Sequence, residues 1–147
     1  MKNYIYCLAA LAISVAAVSC GTKDFPYEPA TASGEQVYFS TSLPATAKVD
    51  ANATSYDLQL NRIETASSIT VPLSVTNSGT RFTVPTEATF SAGSASTTVP
   101  ITYDPASLEY DVYDTITVTI ADATLATEYG KSTYTFRVGL AAPYTSL

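Results

Sequence analysis

The sequence predicts an all-β domain, a β-sandwich of about seven to eight short strands. From Glu35 onward apolar residues recur at every second position, which is the period of a strand with one buried face. Turns rich in Gly, Pro and Asn separate these runs, and beyond the N-terminal apolar segment no apolar stripe has helical spacing. A chain of this length builds one core, so we expect a single domain over residues 35–140.

The N-terminus has the layout of a secretory signal. Lys2 precedes an apolar run, Tyr4 to Val18, that is shorter than the roughly 20 apolar residues a bilayer requires. The run ends in Ala17-Val18-Ser19-Cys20, which resembles a bacterial lipobox, although Ala17 stands where leucine is more usual. The resemblance implies a signal peptide over residues 1–19 and a lipid on Cys20 that binds the membrane. We therefore expect an outer-membrane lipoprotein of the cell envelope, with surface exposure or simple secretion as alternatives.

Residues 20–34 are predicted to be a flexible tether, because prolines, glycines and small polar residues there show no periodicity. The two cysteines are Cys7, inside the signal, and Cys20. The domain itself therefore has no disulfide and no free thiol. Residues 141–147 are interpreted as a C-terminal linker or a truncated end.

The predicted strands follow in order along the chain. Their alternating apolar residues are Val37 and Phe39; Tyr56, Leu58 and Leu60; Ile69, Val71, Leu73 and Val75; Phe82 and Val84; Ala88 and Phe90; Val99, Ile101 and Tyr103; Ile116, Val118 and Ile120; and Tyr134, Phe136, Val138 and Leu140. This number of strands is typical of an antiparallel immunoglobulin-like sandwich. Pro72 and Pro100 each remove a ladder hydrogen bond and so predict edge strands or bulges.

Five segments in the second half of the chain carry a family resemblance. They are F-x-V-P-x-x-A-x-F-x-A-G at 82–93, V-P-I at 99–101, E-Y-D-V-Y-D at 109–114, T-I-T-V-T-I at 115–120 and Y-x-F-x-V at 134–138. In this order they resemble the Calx-beta-like domains near the N-terminus of many Bacteroidetes lipoproteins, over most of residues 36–140. The resemblance implies a module of a longer surface protein.

Classical members of that family bind calcium through acidic residues at one end of the sandwich, and calcium needs six to eight oxygen ligands. The candidate ligands flank one predicted turn; they are Asp104, Glu109, Asp111 and Asp114. The family's other acidic positions hold Ser40, Thr41 and Arg81 here. The alternative is that these carboxylates only keep a connecting loop solvated.

Two further sites are candidates. Tyr110 and Tyr113, beside the acidic turn, could stack on sugar rings, whereas Tyr103 and Tyr134 share the parity of core residues. Asp114-Thr115-Ile116 resembles the O-glycosylation site of Bacteroidetes envelope proteins, and the strand parity points Thr115 outward.

Composition excludes several functions. The sequence has no histidine, and no motif brings a lysine to a marked serine, so we do not expect an enzyme. The net charge of −6 and the scattered basic residues argue against nucleic acid. We expect a non-catalytic spacer or docking module for another protein or a following domain, with no cofactor; calcium belongs only to the alternative below. A glycan- or calcium-binding module is the first alternative. A fimbrial-type self-assembling subunit is the second; it predicts an uncovered edge strand, for which the first strand at residues 36–42 is the candidate.

Overall fold

The computed structural model describes residues 34–128 and 130–143, and eight strands account for nearly half of them. The strands are β1 (Thr46–Val49), β2 (Ser55–Asn61), β3 (Ile69–Asn77), β4 (Phe82–Thr83), β5 (Glu87–Phe90), β6 (Ser96–Tyr103), β7 (Tyr113–Ile120) and β8 (Thr133–Leu140). A short 3-10 helix, Pro105–Ser107, connects β6 to β7. No helix in these residues is long and apolar enough to cross a membrane. The predicted signal and Cys20 lie outside the described residues.

The strands form two sheets. The larger has the order β1-β8-β7-β3-β5 and the smaller the order β2-β6-β4. All pairs are antiparallel except β1 and β8, which run parallel with Thr46 opposite Arg137. The all-β sandwich and its strand number are confirmed, with one parallel edge strand that the periodicity did not predict.

One hydrophobic core fills the space between the sheets. Leu58 and Ile101 of the smaller sheet are fully buried, as are Val71 and Ile116 of the larger. The rings of Tyr56 and Phe136, from opposite sheets, have centroids 6.3 Å apart. All core residues among those described fall between Val37 and Leu140, within one compact unit. The sandwich is therefore a domain with its own complete core.

The first predicted strand is absent as a strand, and residues 37–39 form isolated bridges instead. Val37 N donates to Leu125 O at 2.7 Å and Phe39 N donates to Lys131 O at 2.9 Å. On the opposite edge of the segment, Tyr38 exchanges two hydrogen bonds with Asn61. Both sides of residues 37–39 are paired, so this segment is not the uncovered edge that the fimbrial hypothesis placed at residues 36–42. The fimbrial alternative itself stays a hypothesis.

Pro72 and Pro100 lie in β3 and β6, which are central strands, so their assignment to edge strands was also wrong. At Pro72, β3 changes partner from β5 to β7. The Pro72 carbonyl accepts a hydrogen bond from Ala121 N at 2.9 Å, and the absent N–H is not needed there. Pro100 faces β2 on one side, but β4 is only two residues long and ends before reaching it. Both prolines lie where a neighbouring strand stops, which is where a missing N–H costs least.

The chain enters and leaves the sandwich at opposite ends. Residues 37–39 bond to Asn61, the last residue of β2, and to Lys131, just before β8. The last residue of β8, Leu140, instead accepts from Asp111 N at 2.8 Å, beside the start of β7. Because β8 spans eight residues, these ends are about 25 Å apart. We call them the entry end and the exit end.

Candidate functional site

The acidic turn lies at the exit end, and its four carboxylates have separate roles there. Asp104 caps the 3-10 helix, since its Oδ1 accepts from Ala106 N at 3.0 Å. Asp111 has a left-handed backbone with φ of 60°, which aspartate is one of the few non-glycine residues to tolerate. Its Oδ1 accepts from Ala142 N at 3.4 Å. Glu109 is exposed to solvent.

Asp114 points into the sandwich rather than towards the turn. It is 7% exposed and binds Arg81 through two parallel hydrogen bonds, Nε to Oδ2 at 3.1 Å and Nη2 to Oδ1 at 2.5 Å. The hydrogen bond to Asp114 raises the pKa of the Arg81 guanidinium, although partial burial acts against it. This bidentate geometry is the strongest form of an ion pair in proteins.

The four acidic residues therefore do not converge in the structure, and calcium binding by them stays a hypothesis. Within residues 34–128 and 130–143, no three acidic side chains come close enough together to hold a metal ion. Parity is the sequence signal that could have separated Asp114 from the other three carboxylates. Asp114 lies two residues before Ile116, so it belongs to the buried face of β7.

The two candidate tyrosines, Tyr110 and Tyr113, differ in their exposure to solvent. Tyr110 is 55% exposed, but Tyr113 is half-buried beneath the Arg137 guanidinium, whose carbon is 4.9 Å from the ring centroid. One face of the Tyr113 ring is thus covered, and the two rings do not offer a shared open surface for a sugar. Thr115 is exposed and points outward, as its parity predicts, while its glycosylation stays a prediction.

Two other tyrosines lie in the core, as predicted from their parity. The Tyr103 hydroxyl donates to Asp50 O at 3.0 Å, and the Tyr134 hydroxyl donates to Pro44 O. Burial raises the pKa of Tyr103, and it raises the pKa of Tyr134 to about 12. Both hydroxyls thus keep their protons while they anchor loops to the sandwich.

An open groove of about 500 Å³ lies beside the acidic turn, and sequence reasoning missed it. Its lining includes Thr80 and Arg81 before β4, the cross-strand pair Thr83 and Thr102, and the residues Tyr103, Asp104 and Ser107 after them. The groove lies where the short strand β4 pairs with the end of β6, and the residues that line it come from both strands and from the turns beside them. Its lining residues are far apart in the sequence, so no local pattern indicates it.

The entry end carries a buried charge that the sequence also did not reveal. The Arg62 side chain has no exposed surface; its Nη1 lies 3.0 Å from Glu35 Oε2. It also donates to two backbone carbonyls, at Ser91 and Ser94, at 2.8 and 2.9 Å. All the hydrogen-bonding partners of this arginine are internal, so it serves the fold rather than a ligand.

Comparison with known proteins yields a fold-level likeness. No family model and no curated protein matches the chain. A solved structure from Bacteroides ovatus ATCC 8483, described as a "putative carbohydrate binding protein", is similar with 14% identity and a TM-score of 0.44. The match covers 73% of this chain and 37% of that chain. At this identity and TM-score the likeness carries no information about function.

Proposed function

We propose that this protein is a lipid-anchored protein of the cell envelope, in the outer membrane, whose β-sandwich is a non-catalytic interaction module. The anchor is proposed from the sequence: a charged start, a short apolar run and small residues leading to Cys20. A doubly acylated cysteine would give stable anchoring, because a single chain gives only marginal binding. The related proposal, that the domain is Calx-beta-like, rests on the segment order between residues 82 and 138.

The observation that supports this proposal most directly is the position of the two ends. The first described residues enter at one end, whereas the acidic turn, Tyr110 and the groove lie at the other, about 25 Å away. An anchor ahead of residue 34 would hold the entry end near the membrane. The exit end would then face away from it, towards partners or towards any chain that continues beyond residue 143.

The side-chain chemistry supports a role other than catalysis. Histidine is absent from the sequence, and the strongest charged cluster at the exit end, Arg81 with Asp114, is a closed ion pair. Asp104 uses one oxygen to cap a helix. These groups position the loops, and none of them forms a nucleophile with an adjacent base.

The anchor is tested by metabolic labelling with a radioactive fatty acid. The full chain should incorporate label and sediment with membranes, whereas Cys20→Ser should do neither. Cys7→Ser is the matched control and should behave as the unmodified chain does. Equal labelling of the Cys20→Ser chain would refute lipidation at this residue.

The orientation is tested by in-cell photo-crosslinking from two equally exposed positions. Tyr110 at the exit end is 55% exposed, and Ile63, next to the buried Arg62 at the entry end, is 57% exposed. A photoreactive residue at position 110 should form specific adducts with partner proteins, and one at position 63 should not. Adducts from position 63 alone would contradict an interaction surface at the exit end.

A further inference from the structure

The groove at the exit end keeps polar atoms that the fold does not use. Asp114 occupies Nε and Nη2 of Arg81, and among the described residues Nη1 has no hydrogen-bond partner. Asp104 uses Oδ1 for Ala106 N, and in the same part of the chain its Oδ2 has none. Both residues line the groove, and each is held in place by a structural bond that leaves a further donor or acceptor atom on the same side chain.

Hydroxyl groups supply the remaining polar lining. Thr83 and Thr102 are directly opposite each other on β4 and β6, and both are exposed. A hydroxyl both donates and accepts hydrogen bonds. Beside them lies an edge of Tyr103, whose ring packs on Phe82 with centroids 5.6 Å apart. This pairing makes the aromatic edge a rigid part of the wall.

The charges of the groove disfavour an anionic ligand. Arg81 carries one positive charge, but Asp114 and Asp104 carry two negative charges, and Glu109 adds a further negative potential at Arg81. A phosphate or a sulfate would thus meet a net negative site. A ligand that carries many hydroxyls and no charge meets complementary donors and acceptors without that cost.

We propose that this groove, lined by Arg81, Asp104, Thr83 and Thr102, binds a neutral saccharide. A sugar hydroxyl donates to Asp104 Oδ2, a neighbouring hydroxyl accepts from Arg81 Nη1, and the threonine hydroxyls bond either way. The site goes beyond the proposed anchoring and display role, which does not depend on it. Because Tyr103, the aromatic residue of the lining, is only 7% exposed and offers no open ring face to a sugar, the expected affinity is in the millimolar range.

The experiment is a titration with two readouts, the heat measured by calorimetry and the chemical shifts of the backbone amides. Residues 21–147, which contain the complete core, are titrated separately with cello-, xylo-, manno-, malto- and chito-oligosaccharides up to about 10 mM. At least one of these probes should bind, with shifts concentrated at residues 80–83 and 102–107. Oligogalacturonate, the charged counterpart, should bind more weakly.

Three variants localise the binding. Asp104→Asn keeps the oxygen that caps the helix but replaces Oδ2 with a donor, and it should weaken binding about tenfold. Thr102→Val keeps the shape and strand preference and should weaken binding about threefold to tenfold. Thr98→Val, on the same exposed face of β6 but outside the groove lining, is the matched control and should bind normally.

The proposal is overturned if none of the five probes binds, or if Thr102→Val binds as well as Thr98→Val. It is also overturned if oligogalacturonate binds more tightly than every neutral probe. Thermal melts show whether each variant is folded. If Asp104→Asn does not fold, the conservative Thr102→Val variant still tests the proposal.

Discussion

Arg62 and Glu35 form an ion pair in which the arginine is fully buried and the glutamate is 21% exposed, with 3.0 Å between Nη1 and Oε2. The guanidinium also lies over the Phe90 ring, 5.0 Å from its centroid. With its bonds to Ser91 O and Ser94 O, Arg62 connects the start of the domain to the turn between β5 and β6. Three distant pieces of chain, around residues 35, 62 and 90–94, thus meet at one side chain.

We predict that Arg62→Met destabilises the domain by about 2–4 kcal/mol. Methionine has a similar length but no donors, so the Ser94 carbonyl loses the hydrogen bond from Arg62, and the Ser91 carbonyl keeps only the one from Ser94 N. Urea unfolding measures the loss. Glu35→Gln, which keeps an acceptor on a partly solvated side chain, should cost about 1 kcal/mol. An Arg62→Met domain as stable as the parent would show that the cluster contributes nothing.

We predict that Gly79→Ala destabilises the domain by breaking the pair between Arg81 and Asp114. A Cβ at Gly79 would lie 2.5 Å from Asp114 Oδ2, so the carboxylate must move away from the guanidinium. The expected loss is about 1–3 kcal/mol, and the neighbouring exposed Thr80→Ala should cost under about 0.5 kcal/mol. If Gly79→Ala acts through the pair of Arg81 and Asp114, the loss of stability it causes should be smaller in a protein that already carries Asp114→Ala. A double-mutant cycle measures this difference.

We predict that stability falls between pH 10 and about 12 because of Tyr134. Its pKa is raised from 10.0 to about 12 by burial, so the folded state keeps the hydroxyl proton that the unfolded chain releases. The stabilisation is fully present below pH 10 and is lost as pH rises towards 12. Denaturant unfolding at several alkaline pH values should show a shallower decline for Tyr134→Phe. An identical decline in both proteins would exclude Tyr134 as the cause.

We predict that calcium does not raise the thermal midpoint of residues 21–147 relative to chelator. Asp104, Asp111 and Asp114 each have a separate structural contact, and no three acidic side chains meet within the described ranges. A ligand that binds only the folded state would raise the midpoint. A calcium-dependent rise that Asp111→Asn abolishes would contradict this and restore the acidic turn as a metal site.

Much of the fold could be predicted from the sequence because alternation is a local signal. Residues 69–77 illustrate this, since Val71 and Leu73 are buried and their outward neighbours are exposed. The strand β1, Thr46–Val49, was missed because its inward residues are Ala47 and Val49, and so small an alternating pair is a weak strand signal. Its parallel pairing with β8 joins positions about 90 residues apart, which no local pattern encodes.

The candidate site was less predictable for the same physical reason. Arg81 pairs with Asp114 across 33 positions, and Arg62 pairs with Glu35 across 27. A carboxylate in a turn-like sequence has the same local appearance whether it binds an ion, caps a helix or pairs with a distant arginine. Only the three-dimensional arrangement distinguishes these roles.

The opposite positions of the two chain ends determine how the sandwich responds to pulling. If force is applied between residues 34 and 143, it acts along the strands, and the hydrogen bonds that join β8 to β1 and β7 are sheared together rather than peeled one at a time. Rupture then requires many bonds to fail at once, which makes forced unfolding slow. A protein held at one end and engaged by a partner at the other would resist drag on the cell as a stiff link.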